Sequence, residues 1–263
     1  MLPISEIERA IGYTFRNKDL LRQAFVRKSY SAEQGGQNNE VLEFIGDAVL
    51  CSVVTRMMME RFGRVANGED APQCFCTKYG EGEFTDIRQD LVQEATLAKA
   101  MDALGFHAYL VMGQGDIKQG VQNEAKVKAD LFEAVLGAVA LDADWNMDVL
   151  TRVVSNMADF TSYFENVAEH LRRLRQKRIK EAVGELNEKT AVVKANELYQ
   201  KGFVSKPRYT YTEEKGGGTV EWRCECFIKE IGCSVSGNAD TKQHAQNAAA
   251  YEALLALLGR AEE

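Results

Sequence analysis

The stretch that decides the fold runs from Asn39 to Leu50 and reads NEVLEFIGDAVL. Its apolar residues recur at helical spacing, and Glu40, Glu43 and Asp47 stand at i, i+3 and i+7, so the acids share one helix face. A solvated face would relieve their repulsion with interspersed cations, but no lysine or arginine occurs between residues 29 and 55. We therefore expect these acids to lie beside a hydrophobic core.

A second acidic pair lies in residues 129–137, ADLFEAVLG, where Asp130 and Glu133 are one turn apart on an apolar helix. A single pair of this kind usually marks a solvated face, whereas two pairs within apolar helices favour a metal site. Helices that face each other would bring four or five carboxylates together, an oxygen-only set that suits Mg²⁺, with Mn²⁺ as a substitute. Gly46 and Gly137, inside the two helices, predict a close crossing.

Composition indicates a globular protein with one large or two ordinary domains, since 45% of the 263 residues are hydrophobic and 27% are charged. The net charge of −7 argues at first against a nucleic-acid binding partner. Residues 1–166, however, hold 16 basic and 25 acidic residues, and residues 167–263 hold 16 and 14. The N-terminus has no signal-peptide pattern, no apolar stretch is long enough for a membrane helix, and the cysteines form no redox motif. These features predict a cytoplasmic protein with reduced thiols and no membrane partner.

The composition of the chain changes at residues 171–180, LRRLRQKRIK, which hold six cations. Helical periodicity dominates before this run, and an α-β-β-β-α pattern follows it. The sequence thus predicts an all-α domain in residues 1–166, a basic linker in 167–186 and an α-β-β-β-α domain in 187–260. The expected elements are helices near 39–61, 85–104, 123–141 and 149–165, strands at 208–214, 220–229 and 231–236, a glycine turn at 216–218 between the first two strands, and helices at 190–201 and 242–258.

Four stretches together carry a family resemblance over nearly the whole chain. NNEVLEFIGDAVL resembles the signature of ribonuclease III, and KADLFEAVLGAVALDAD resembles the second catalytic segment of that family. IERAIGYTFRNKDLLRQAFVRKSY resembles its opening helices, and the C-terminal module resembles the double-stranded-RNA-binding domain that usually follows. The resemblance implies an all-α ribonuclease III endonuclease domain followed by a double-stranded-RNA-binding domain, and a homodimer that cleaves double-stranded RNA.

Roles for individual residues follow from the same resemblance. It implies that the metal cluster consists of Glu43, Asp47, Asp130 and Glu133, with Asp47, Glu133 and Glu40 acting in catalysis. It implies further that Glu81 lies near the RNA, that Glu197 and Lys242 bind the RNA, and that Phe44 packs in the homodimer interface. The expected reaction is Mg²⁺-dependent phosphodiester hydrolysis that yields 5′-phosphate and 3′-hydroxyl ends, in the processing of ribosomal precursors and other structured RNA.

Several positions depart from the family pattern. Residues 26–29 read VRKS where Thr-His-x-Ser is usual, residues 126–128 read KVK where Ser-Ile-Leu is usual, and the last helix begins with Lys242 alone in place of a run of lysines. Two alternative functions remain open at this point. One is a non-catalytic RNA-binding relative, and the other is a metal-dependent phosphohydrolase of small nucleotides, which would not need the C-terminal module.

Overall fold

The structure is a computed structural model that describes residues 2–65, 74–216 and 219–259. The chain divides into two compact units, Met1–Val167 and Ala168–Glu263. In the first unit, two short antiparallel strands accompany a set of helices. These elements are α1 (Ile4–Ile11), α2 (Lys18–Ala24), α3 (Lys28–Gln34), α4 (Glu40–Phe62), β1 (Gly63–Val65), β2 (Phe75–Thr77), α5 (Glu81–Val92), α6 (Glu94–Leu104), α7 (Gln114–Gln119), α8 (Ala125–Asp142), α9 (Met147–Met157) and α10 (Thr161–Glu165).

Helix α8 forms the centre of the first unit and packs against α4, α6 and α2. It is apolar around most of its circumference, as a helix surrounded by other helices must be. Leu131 and Phe132 of α8 are fully buried, as are Leu50 and Val53 of α4. Full burial of each large side chain contributes about 1.5–3 kcal/mol. This core holds the two acid-bearing helices side by side.

The last residue of α8 anchors the loop between α1 and α2. Asp142 is buried, and its carboxylate accepts hydrogen bonds from the Tyr13 hydroxyl at 2.7 Å and from the amides of Arg16 and Asn17 at 2.8 Å. Burial alone would raise the pKa of Asp142, but these hydrogen bonds and the charge of Arg16 outweigh it and lower the pKa. Asn17 then caps the start of α2, because its side-chain oxygen accepts a hydrogen bond from the backbone amide of Asp19.

The second unit contains α11 (Val167–Val183) from its second residue onward, and α12 (Ala191–Gln200) and α13 (Lys242–Gly259), with an antiparallel sheet. Its strands, in the order β3-β4-β5, are β3 (Arg208–Gly216), β4 (Thr219–Phe227) and β5 (Ser234–Ala239). The alternation in β4 buries Cys224 and Cys226 completely, as free thiols, against a core that includes Ala249 and Leu254 of α13. The expected α-β-β-β-α fold of this unit is confirmed.

Two stretches differ in detail from the sequence prediction. The third strand begins at Ser234 instead of residue 231, because the amides of Ile231 and Gly232 close a turn onto Ile228 and Lys229, and Gly232 has a φ of 75°. The range expected as a linker, 167–186, largely forms α11, and Ile179 and Val183 are buried in the core of the second unit. Of the expected glycine turn, residues 217 and 218 lie outside the described residues.

The remaining expected helices agree in type, but two of the expected stretches are each broken into two helices. The stretch 149–165 forms α9 and α10, because Ala158 has extended backbone angles. The stretch 85–104 forms two helices, because Gln93 has extended backbone angles and separates α5 from α6. Within the ranges that the structure describes, none of the helices combines the length and the apolar character that crossing a membrane requires.

Candidate functional site

The crossing of α4 and α8 places the acids. A Cβ atom on Gly46 would overlap the backbone carbonyl of Glu133, and one on Gly137 would overlap the carbonyl of Leu42. Only glycine at both positions allows the two backbones to approach this closely. The approach brings Glu43, one turn before Gly46, next to the acids of α8. The close crossing predicted from the two glycines is confirmed.

Three carboxylates converge at this crossing. One oxygen each from Glu43, Asp130 and Glu133 can be chosen so that all three lie within 4.8 Å of one another. Each of these side chains is half-buried, so water screens their mutual repulsion incompletely. The set is the one that a hard divalent cation prefers, since it offers only oxygen ligands at short separation.

The pKa values of all three acids are raised, and burial is the largest cause in each. Burial, followed by the charges of Asp47, Glu43 and Asp130, raises the pKa of Glu133 to about 8. Burial, then the charge of Asp130, raises the pKa of Glu43. Burial also raises the pKa of Asp130. A bound cation would stabilise this site, because it would favour the charged form of all three carboxylates.

Asp47 lies on the same side of α4, one turn beyond Glu43, and is exposed. It is not one of the three acids that meet within 4.8 Å, yet its charge is the largest electrostatic contribution to the raised pKa of Glu133. Its Oδ1 also accepts a long hydrogen bond, 3.9 Å, from the Cys51 thiol. The role of Asp47 as a metal ligand stays a prediction.

Glu40 lies at the edge of the cluster and is paired. Its Oε1 accepts a hydrogen bond from the Lys28 ammonium at 2.8 Å, and both side chains are exposed. The negative charge of Glu40 contributes to the raised pKa of Glu43. Lys28 comes from the stretch that departs from the family pattern, so this chain provides a cation where the helix face itself has none.

Sequence reasoning missed three charged neighbours of the cluster. Glu94, the first residue of α6, raises the pKa of Asp130 and Glu133, whereas Arg27 and Lys126 oppose the rise at Asp130. Lys126 lies four residues before Asp130 on α8, a spacing that could have identified it. Glu94 and Arg27 carry no comparable signal, because their approach depends on how separate segments pack.

The other predicted residues are not among the three converging acids. Glu81 begins α5 and accepts a hydrogen bond from the Thr85 hydroxyl at 3.2 Å. It lines a cavity of about 390 Å³ together with Met59, Phe84 and Arg88. Its role near the RNA is not tested by a single chain and stays a prediction.

Phe44 points outward from α4. It is 77% exposed, and Val41, one turn earlier, is 65% exposed. Two large apolar side chains on one helix turn form an apolar surface patch beside the acid cluster. The expected contact of Phe44 with a second copy stays a prediction.

In the second unit, Glu197 is exposed on α12, and Lys242 is exposed in the first turn of α13. The Lys242 ammonium lies 4.3 Å from the centroid of the Trp222 ring, a cation–π contact between α13 and β4. This contact holds the side chain over the sheet while its charge remains accessible.

Comparison with known proteins matches both units. A family model described as ribonuclease-III-like matches residues 17–158, and one described as a double-stranded RNA binding motif matches residues 194–257. A ribonuclease 3 from Roseburia hominis is 31% identical over 97% of this chain and 98% of that relative. A ribonuclease 3 from Treponema succinifaciens is 45% identical over 59% of this chain and 41% of that relative. The solved nuclease domain of ribonuclease III from Campylobacter jejuni is 28% identical, with a TM-score of 0.48, over 60% of this chain and 95% of that one. The chain therefore belongs to the ribonuclease III family of double-stranded-RNA-specific endoribonucleases, with its nuclease domain first and its RNA-binding domain second.

Proposed function

We propose that this endoribonuclease uses Mg²⁺ to hydrolyse the phosphodiester bonds of duplex RNA and leaves 5′-phosphate and 3′-hydroxyl ends. The observation that carries the proposal is the convergence of Glu43, Asp130 and Glu133 within 4.8 Å. Acids at this separation repel unless a proton or a cation lies among them. Since the donors are all oxygen, Mg²⁺ suits the set better than zinc, and Mn²⁺ would serve as a substitute.

Glu43, Asp130 and Glu133 would hold the cation, and Asp47 adds a fourth carboxylate from the same face of α4. When bound, a divalent cation supplies Lewis-acid activation of water and of the scissile phosphate and neutralises the leaving 3′ oxygen. Because burial and the neighbouring acids raise the pKa of Glu133 to about 8, cation binding would favour the loss of its proton. Glu40, held by Lys28, borders this set, and we expect it to act at the cleavage site.

We further propose that the active form is a homodimer. The support is the outward-facing pair of Phe44 and Val41, whose exposure is costly in an isolated chain. A twofold axis through this patch would make the same surface bind itself. Each copy would then carry one acid cluster, so that the two strands of a duplex could be cut by two sites. In this arrangement we expect Glu81 to act near the RNA.

The second unit would deliver the duplex. Modules of this kind recognise shape, 2′-hydroxyls and phosphates across two minor grooves. We propose that Glu197 lies towards a minor groove and that Lys242, supported by Trp222, contacts a phosphate. Ribosomal precursors and other structured RNAs are the proposed substrates, and the location in the cytoplasm stays a prediction.

The test is a cleavage assay with a long RNA duplex, a single strand of the same sequence and a nucleoside triphosphate, each with Mg²⁺ or with EDTA. We expect cleavage of the duplex only with Mg²⁺, and products that a ligase requiring 5′-phosphate can join. Hydrolysis of the nucleotide in preference to the duplex would favour a small-molecule phosphohydrolase. Duplex cleavage undiminished in EDTA would overturn the metal mechanism.

A further inference from the structure

Arg27 and Lys126 act on the charge of Asp130, Lys28 binds Glu40, and Lys128 lies two residues before Asp130. Of these four cations, all but Lys126 form an ion pair in the part of the chain that the structure describes. The Arg27 guanidinium donates to the Asp116 carboxylate at 2.9 Å, and the Ser29 hydroxyl donates to the same carboxylate at 2.6 Å. Both members of this ion pair are largely buried, so Arg27 is committed to holding α3 and α7 together. It acts on the acids only through its charge.

The two other paired cations are lysines. Lys28 binds Glu40 at 2.8 Å. Lys128, almost buried in the first turns of α8, binds Asp102 at 2.6 Å. Each of these lysines would have to break an ion pair before it could bind an anion, which makes both poor partners for an incoming phosphate.

Lys126 is the exception. Its side chain is exposed, and within the described residues it makes neither an ion pair within 4.0 Å nor a side-chain hydrogen bond. It also stands in the first turn of α8, where the helix dipole disfavours a cation. Neither an ion pair nor the helix dipole therefore explains a lysine at this position.

The position of Lys126 relative to the acids supplies that explanation. Lys126, Asp130 and Glu133 stand at i, i+4 and i+7, so they form one stripe along α8. The positive charge of Lys126 reaches both Asp130 and Glu43, whose pKa values it lowers against the effect of burial. The stripe thus runs from a free ammonium group directly into the acid cluster.

A phosphate of duplex RNA must approach this cluster for cleavage, and an ammonium group is a standard partner for such an anion. We propose that Lys126 binds a backbone phosphate of the RNA next to the scissile bond and positions the strand over the acids. The inference rests on the proposed function, because it assumes that duplex RNA enters this site. Lys126 is a positioning residue and takes no part in proton transfer.

The test compares Lys126→Gln with Lys126→Arg in the full-length chain. Lys99→Gln is the matched control, since Lys99 is exposed on α6 and lines a separate groove with Ala103 and Met157. Binding of an RNA duplex is measured in Mg²⁺ at several salt concentrations, with Glu133→Gln in every protein to prevent cleavage. The same three changes in the active enzyme are then compared in KM and kcat.

We expect Lys126→Gln to weaken duplex binding about threefold to tenfold and to reduce the slope of log affinity against log salt by about one, as the removal of a single phosphate-binding cation should. KM should rise more than kcat falls, Lys126→Arg should restore most of the affinity, and Lys99→Gln should behave as wild type. Lys126→Gln should also bind Mn²⁺ about twofold more tightly without RNA, because a repelling charge is gone.

Unchanged affinity and salt slope in Lys126→Gln would overturn the inference, even if Mn²⁺ bound more tightly, since Lys126 would then only balance the acids. An equal weakening in Lys99→Gln would overturn it as well, because the effect would reflect total charge. If the wild-type chain cleaved duplex RNA in either case, the proposed function would stand. A wild-type chain that neither bound nor cleaved duplex RNA would overturn both.

Discussion

Gly46 of α4 lies directly against the backbone carbonyl of Glu133 in α8, so closely that a Cβ atom would overlap the oxygen. Gly137 stands in the same relation to Leu42. This pair of close approaches couples the packing of the first unit to its chemistry, because the residues that allow the helices to cross also set the separation of Glu43 and Glu133.

The first prediction concerns this crossing. Gly46→Ala should lower the free energy of unfolding by about 1–3 kcal/mol, since the clash is with backbone and outweighs the gain in helix propensity. Gly82→Ala is the control, because nothing lies within 4 Å of a Cβ on this glycine of α5. Denaturant unfolding measures both. Equal stability of Gly46→Ala and wild type would show that the two helices do not cross at this distance.

The second prediction concerns pH without metal. The folded-state pKa of Glu133, about 8, lies above the ordinary value of 4.5. The folded protein therefore favours the neutral form of Glu133. The contribution of this group to the free energy of unfolding is fully present below the ordinary pKa and is lost as pH rises towards 8. The slope is at most about 1.4 kcal/mol per pH unit. Thermal unfolding in EDTA between pH 5 and pH 9 measures it, with Glu133→Gln as the comparison.

Glu133→Gln should show a shallower decline and a higher Tm than wild type at pH 8, because the repelled charge is absent. Added Mg²⁺ should raise the Tm of wild type and have little effect on the variant. A variant that loses stability with pH as steeply as wild type would assign the effect to another group.

The third prediction concerns the buried carboxylate at the end of α8. Asp142→Asn should destabilise the protein by about 1–3 kcal/mol, because one acceptor oxygen facing the Tyr13 hydroxyl or the amides becomes a donor. The lowered pKa of Asp142 contributes stability above its ordinary pKa, and this contribution is lost as pH falls through the folded value. Asp144→Asn, at an exposed position nearby, should change little. A similar effect of both substitutions on urea unfolding would contradict the assignment.

The fourth prediction concerns the apolar patch formed by Val41 and Phe44. Phe44→Asp should shift the protein towards monomer and reduce duplex cleavage, since a twofold interface would bury one new charge from each copy. Ile117→Asp changes another exposed apolar residue, on α7, and should leave the oligomeric state unchanged. Sedimentation velocity at several concentrations distinguishes the two. A Phe44→Asp protein that dimerises like wild type would remove Phe44 from the interface.

Much of the site could be predicted from the sequence because its signals are local. The spacing of Glu43 and Gly46, and of Glu133 and Gly137, is fixed by helix geometry alone, so the faces and the crossing followed from the pattern. Glu94 was missed because α6 begins after an extended residue, Gln93, and no proline or glycine in the sequence predicts a helix end there. Such a break depends on tertiary packing.

The same limit applies to charges from separate segments. Lys28 meets Glu40 across a loop, and Arg27 meets Asp116 from a segment far along the chain. Neither pair has a sequence signal, since long-range ion pairs depend on how the helices pack. The third strand was placed three residues early for a related reason, because the turn at Gly232 continues the apolar alternation without continuing the strand.

The central claim is that the acids at the crossing of α4 and α8 cut duplex RNA. It is tested most directly by measuring single-turnover cleavage of a duplex in Mg²⁺ by wild type, Glu133→Gln and the control Glu6→Gln, an exposed acid of α1. We predict that Glu133→Gln reduces the rate at least about a thousandfold. Duplex affinity should change by less than about threefold, because we expect the second unit to supply most of the binding, and Glu6→Gln should match wild type. Cleavage by Glu133→Gln at the wild-type rate would contradict the account.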